Sequence, residues 1–142
     1  MSNDTTPTTL LLKLNSLHTQ ILRKVDQQLG VHGISFTEFL VMSHLQSAAN
    51  ETMRRIDLAE SIGLSASGVT RLLMPMEKIG LVKKEVNPRD ARVSLVKLTK
   101  GGKKAFVNAA LSVAHAAGEL SNPLSAKQLT EFTKLTDTLL YK

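Results

Sequence analysis

The chain has 142 residues, 42% of them hydrophobic and 21% charged, which fits one compact domain with a real core. It contains no cysteine, so disulfides, thiolate zinc sites and thiol-based sensing or catalysis are excluded. Its net charge of +6 is unevenly placed. Residues 51–105 hold twelve Lys and Arg against six Asp and Glu, and the rest of the chain holds six of each.

The longest apolar runs, such as Leu10–Leu12, fall far short of the ~20 residues that span a bilayer. The polar start, Met1–Thr9, lacks the basic and apolar regions of a signal peptide. A soluble, cytoplasmic protein is expected. Leu10, Leu14, Leu17, Ile21, Val25 and Leu29 recur every three or four residues and predict a long helix, with Gly30 as its stop. Ser35-Phe36-Thr37-Glu38 has capping-box spacing and starts a second helix that runs to about Ala48.

A short helix follows over 55–62, with Ile56, Leu58, Ala59 and Ile62 turned inward and Gly63 ending it. Ser65 caps the next helix, whose buried face is Val69, Leu72, Leu73 and Met76. Two short helices joined by a tight Gly-containing turn form a helix-turn-helix. Segments 81–86 and 92–98 are rich in β-branched residues and read as strands, with Asn87-Pro88-Arg89-Asp90-Ala91 as the turn between them. Thr99 caps another long, alanine-rich helix that runs to about Gly118. Asn122-Pro123 breaks the chain, and Ser125 caps a last helix bearing Leu129, Phe132, Leu135 and Leu139. The fold class is mainly α with a small β-hairpin (α+β).

Two groups of residues point to DNA. The helix after Ser65 exposes Ala66, Ser67, Thr70 and Arg71 on its first turns. Small polar groups allow close approach to a groove, and Arg71 can bind guanine or phosphate. The hairpin tip carries Arg89 and Arg92, suited to a narrow minor groove, with Asp90 placed to orient Arg92 or Arg89 through a bidentate bond. Arg54 and Arg55 stand where a small capping residue is usual, and they place two charges near a phosphate backbone. The positive middle segment suits phosphate neutralisation. Pro75 lies late in the recognition-helix candidate and is expected to kink or loosen its C-terminal end.

Leu58-Ala59-Glu60, Gly63-Leu64-Ser65, Val69-Thr70-Arg71, Met76 through Val82, and Asp90-Ala91-Arg92 followed by Leu98-Thr99-Lys100-Gly101-Gly102 resemble the multiple-antibiotic-resistance regulator (MarR) family. The resemblance spans roughly residues 10–142, and residues 1–142 are expected to form a single domain. It implies a winged helix-turn-helix over 35–98 and dimerisation helices over 10–34 and 99–142. It further implies a homodimeric transcription regulator, a repressor by expectation, on a pseudo-palindromic operator. Each recognition helix would enter a major groove and each wing a minor groove, with half-sites ~34–36 Å apart. Family members commonly release DNA on binding a small aromatic or anionic effector. The candidate lining here is His18, Phe36, Phe39, Met42 and His44, for which core packing is the ordinary alternative.

The competing readings are an architectural DNA binder without sequence specificity and a winged-helix protein-interaction module. An enzyme is the least supported, because no catalytic triad, phosphate loop or acid pair stands out. The four histidines, His18, His32, His44 and His115, have no metal-ligand spacing, and no metal or cofactor is expected.

Overall fold

The computed structural model describes residues 4–141. The chain opens with α1 (Pro7–Leu29), which starts three residues before the predicted stripe. Pro7 sits in its first turn, where a missing N–H costs nothing, and the Thr6 hydroxyl accepts from Thr9 N at 3.3 Å. Gly30 caps the end of α1, as expected. A 3-10 turn, Gly30–His32, follows directly, and the left-handed position falls on Gly33 at φ 69°. Next comes α2 (Phe36–Ser47), with the Ser35/Glu38 capping box formed in both directions.

The helix-turn-helix is α3 (Arg55–Ile62) and α4 (Ala66–Lys78). Gly63 at φ 71° ends α3, and the Leu64 N–H reaches back to the Ala59 carbonyl. Ile56 is a correction. It stands 67% exposed, whereas Leu58 and Ala59 fill the core. A helix of eight residues has room for one narrow buried stripe, and Ile56 lies off it.

The wing holds three strands where the composition predicts two. β1 (Thr52–Arg54), β2 (Val82–Val86) and β3 (Ser94–Leu98) form an antiparallel sheet in the order β1-β3-β2. β1 covers one edge of β3 through Thr52↔Lys97, Met53↔Val96 and Arg54↔Leu95. Three residues are too few to show strand alternation, so β1 exists only because β3 is there to pair with. β3 also begins two residues later than expected. The N–H groups of Arg92 and Val93 are committed to the Asp90 side chain and carbonyl instead of to a strand partner.

α5 (Lys100–Ser121) and α6 (Ala126–Leu140) complete the chain. Thr99 joins the wing to α5. Its hydroxyl lies against the Gly80 and Leu81 carbonyls and accepts from Gly102 N at 2.9 Å. A Cβ on Gly102 would lie 2.1 Å from the Leu81 carbonyl oxygen, so only glycine allows this approach.

One continuous core runs from Val25 and Leu29 of α1 through Val41, Met42 and Leu45 of α2, Leu58 of α3, and Val69, Leu73 and Met76 of α4. It continues through Val82 and the wing residues Val96 and Leu98 to Ala109 and Ala116 of α5. The small side chains of α5 admit α1 closely, and His32 Nε2 lies 2.8 Å from Ser112 Oγ. Lys24 of α1 and His115 of α5 both pair with Glu119. α6 differs from the other helices. None of its residues is buried, and Leu129, Phe132, Leu135 and Leu139 are open on its surface. Among the described residues, no helix is long and apolar enough to cross a membrane.

Candidate nucleic-acid interface

The N-terminal end of α4 is built by its cap. The Ser65 hydroxyl accepts from Gly68 N at 3.1 Å and lies 3.2 Å from the Ser67 hydroxyl. Val69, Leu73 and Met76 anchor the helix in the core, which leaves Ala66, Ser67, Thr70 and Arg71 exposed along the outer side. Thr70 donates its hydroxyl proton to the Ala66 carbonyl at 3.0 Å, so toward a partner it offers lone pairs and a methyl group. Among the described residues, Arg71 pairs with no carboxylate. Pro75 is exposed and α4 runs past it to Lys78, so the helix is not broken there.

At the wing tip, the Asn87 side chain accepts from Arg89 N at 2.9 Å, which tightens the loop. Asp90 then accepts from Arg92 three times: from its backbone N at 3.0 Å, from Nε at 3.1 Å and from Nη2 at 3.2 Å. These bonds, the side-chain pair first and the backbone bond next, hold the Asp90 carboxyl below its ordinary pKa. The carboxylate form therefore persists throughout the neutral range, and the grip would loosen only as pH falls through that lowered value. The Arg92 side chain is nonetheless 91% exposed. Arg89 is exposed as well.

Arg54 and Arg55 differ from the sequence reading in detail. The Arg54 guanidinium is oriented by Asp57 through Nε at 2.8 Å and Nη2 at 2.9 Å, and its side chain remains 53% exposed. It contributes no side-chain cap to α3. Arg55 is half-buried and helps line a groove of about 430 Å³ between α3 and α4, beside Ile56, Leu64, Ala66 and Thr70. The exposed Ile56 is the groove residue that periodicity alone turned inward.

Of the five residues expected to line an effector site, two are core side chains. Phe39 and Met42 are core side chains, 8% and 0% exposed, because α2 turns them toward α5 and the wing. Phe39 stacks between Phe36 at 6.4 Å and Phe106 at 5.0 Å. Phe36 and His44 are half-buried, and His18 is exposed on α1. Among the described residues, no cluster of His, Cys, Asp and Glu is arranged to hold a metal ion.

A capped, exposed helix N-terminus beside a basic three-stranded wing defines a winged helix-turn-helix protein. Comparison with known proteins narrows the class. The MarR family model matches residues 34–94. Transcriptional repressor MprA of Escherichia coli K12 is 26% identical over 134 residues, which cover 92% of this chain and 76% of that protein. The HTH-type regulator YfiV of Bacillus subtilis is 42% identical over 55 residues, or 39% of this chain and 34% of that one. Among solved structures, AbsC of Streptomyces coelicolor superposes with a TM-score of 0.84 at 19% identity, covering 99% of this chain and 95% of that one. A variant of E. coli MarR complexed with operator DNA superposes with a TM-score of 0.84 at 24% identity, covering 93% and 94%. Residues 34–94 thus match the MarR family, and the chain as a whole has the winged helix-turn-helix fold of these solved structures.

Proposed function

We propose that the chain is a transcriptional repressor that binds a pseudo-palindromic operator as a homodimer. Each α4 lies in a major groove, where Ser65, Ala66, Ser67, Thr70 and Arg71 meet bases and phosphates. Each wing places Arg92, with Arg89 beside it, in the flanking minor groove, while Asp90 orients Arg92. Arg54 and Arg55 contact phosphate at the start of α3. One observation carries this reading. The Arg92 guanidinium and backbone N–H together make three hydrogen bonds to Asp90, yet the side chain is 91% exposed. Such pre-orientation has no use inside the monomer and fits an external anion in a narrow groove.

The reading of a repressor follows the relative MprA, itself a transcriptional repressor. The homodimer is supported by the apolar surface left open at both chain ends. Leu10 and Leu14 of α1 and Phe132, Leu135 and Leu139 of α6 line an apolar cavity of about 300 Å³. A second copy of the same surface would remove that area from water. Release by a small aromatic or anionic effector belongs to the same reading. Phe36, His44 and His18 are the members of the predicted set that remain accessible to one.

Selection of bound duplexes from a random DNA pool tests the core of the proposal. An inverted repeat with half-site centres about one helical turn apart is expected. Recovery of unrelated sequences with equal affinity would replace it with the architectural reading.

A further inference from the structure

The basic segment 51–105 contains five arginines and seven lysines, and the two types are segregated. Arg55 and Arg71 lie on the helix-turn-helix, Arg89 and Arg92 in the wing loop, and Arg54 at the junction of β1 and α3. Four of the lysines, Lys83, Lys97, Lys100 and Lys103, instead line a polar cavity of about 450 Å³ together with Glu51. The operator contacts described above use none of the four.

Their placement follows from the sheet. Val82, Val96 and Leu98 point into the core shared with α4, so Lys83 and Lys97 occupy the opposite, outer face of the wing. They stand directly across from each other in the β2–β3 register. Like charges in that position are destabilising. On its other side Lys97 faces Thr52, which offers no charge. Glu51 is taken by Lys103 at 2.7 Å, and Glu85 reaches only Lys83, at 3.8 Å. Among the described residues, Lys97 and Lys100 pair with no carboxylate. Lys100 also opens α5, whose positive dipole end adds to the field.

Lys83 and Lys97 lie three register steps, about 10 Å, from the Val86↔Ser94 pair at which the strands end, with the tip loop beyond it. The patch is thus continuous with the wing but set back from its point. It has no arginine fork and no aromatic surface to select a shape. Flexible ammonium groups recognise phosphates without reading sequence.

We infer that the outer face of the wing is a second DNA contact, binding backbone phosphates of the duplex that flanks the operator. The inference rests on the wing tip being seated on that operator. It predicts that DNA beyond the half-sites tightens binding, through charge alone.

The test uses the full chain and the operator recovered by selection, in two lengths. One duplex just covers the half-sites, and the other carries about ten further base pairs of arbitrary sequence at each end, roughly one helical turn. Binding is measured by fluorescence anisotropy across a salt series. The longer duplex should bind more tightly at low salt, with a steeper dependence of log affinity on log salt, by about 0.9 for each added phosphate contact. The triple variant Lys83→Gln, Lys97→Gln, Lys100→Gln should bind the short duplex as the parent does and lose the advantage of length. Its melting temperature should be no lower, since a like-charge pair is removed.

Equal affinity and salt slope for both lengths in the parent chain would overturn the inference, whatever the variant does. So would a variant weakened equally on both lengths, which would put the lysines inside the operator footprint. Pyrophosphate that displaces the parent but not the variant from the short duplex would mark a small-anion site instead, and would also overturn it. Loss of all specific binding to the short duplex by the parent would refute the operator reading itself.

Discussion

The behaviour of single residues here depends on what each charge is already bonded to. Arg54 and Arg92 both hold an aspartate with two guanidinium nitrogens. Arg54 does so along the first turn of α3, where its side chain is 53% exposed. Arg92 does so at the end of a hairpin, where the carboxylate fixes the side chain while the guanidinium stays open to solvent. Arg92→Ala is therefore expected to weaken operator binding by about 1–3 kcal/mol, the scale of one specific contact. Asp90→Ala should weaken it less, by loosening Arg92 without removing it. Titration of both variants against the selected operator checks the order. Unchanged affinity for Arg92→Ala at physiological salt would remove the wing from the mechanism. The same residues show how legible the site was. Asp-x-Arg in a Pro-restrained loop is a local pattern, and its partners are two residues apart. Phe39 and Met42 were ambiguous in the sequence because an apolar side chain on an amphipathic helix can line a cavity or fill a core. Only the packing of α5 and the wing around α2 decides between them.

At the scale of elements, the junction between wing and α5 explains a motif that otherwise looks arbitrary. Leu98-Thr99-Lys100-Gly101-Gly102 ends a strand, caps a helix and clamps the α4–β2 turn in five residues. The Thr99 hydroxyl satisfies the first turn of α5 while lying against the Gly80 and Leu81 carbonyls. Gly102 permits the approach. Gly102→Ala should force the Leu81 backbone or the Leu98 side chain to move, at a cost of about 1–3 kcal/mol. Thermal melting should show a clear drop, and Gly118→Ala is the control, since nothing stands within 4 Å of a Cβ there. An equal effect at the two glycines would contradict the clamp. Helix positions were readable because caps and periodicity are local. β1 was not, because its three residues owe their conformation to the edge of β3.

At the scale of the whole molecule, the two chain ends are unlike the middle. The helix-turn-helix and wing each place apolar residues in the core, among them Leu58, Val69, Leu73, Met76, Val82, Val96 and Leu98. α6 buries none of its residues, and the first three turns of α1 keep Leu10, Leu14 and Leu17 open. Sedimentation at micromolar concentration is expected to give a dimer. Leu135→Glu, at a position 67% exposed, should shift it toward monomer while leaving helical content intact. A parent chain that sediments as a stable monomer would sink the two-half-site operator.

Much of this protein follows from short-range information. The Ser35, Ser65, Thr99 and Ser125 caps, the left-handed Gly63, the basic hairpin tip and the excess positive charge between residues 51 and 105 are all fixed by neighbours a few positions apart. That sufficed for the order of the helices and for the helix-turn-helix. Tertiary structure decided what depends on distant segments meeting. It exposed Ile56, committed Phe39 and Met42 to the core, and completed the sheet with β1. It also gathered four lysines from β2, β3 and α5 onto one face of the wing. Burial and charge proximity are properties of surfaces, and no surface exists until those segments have packed.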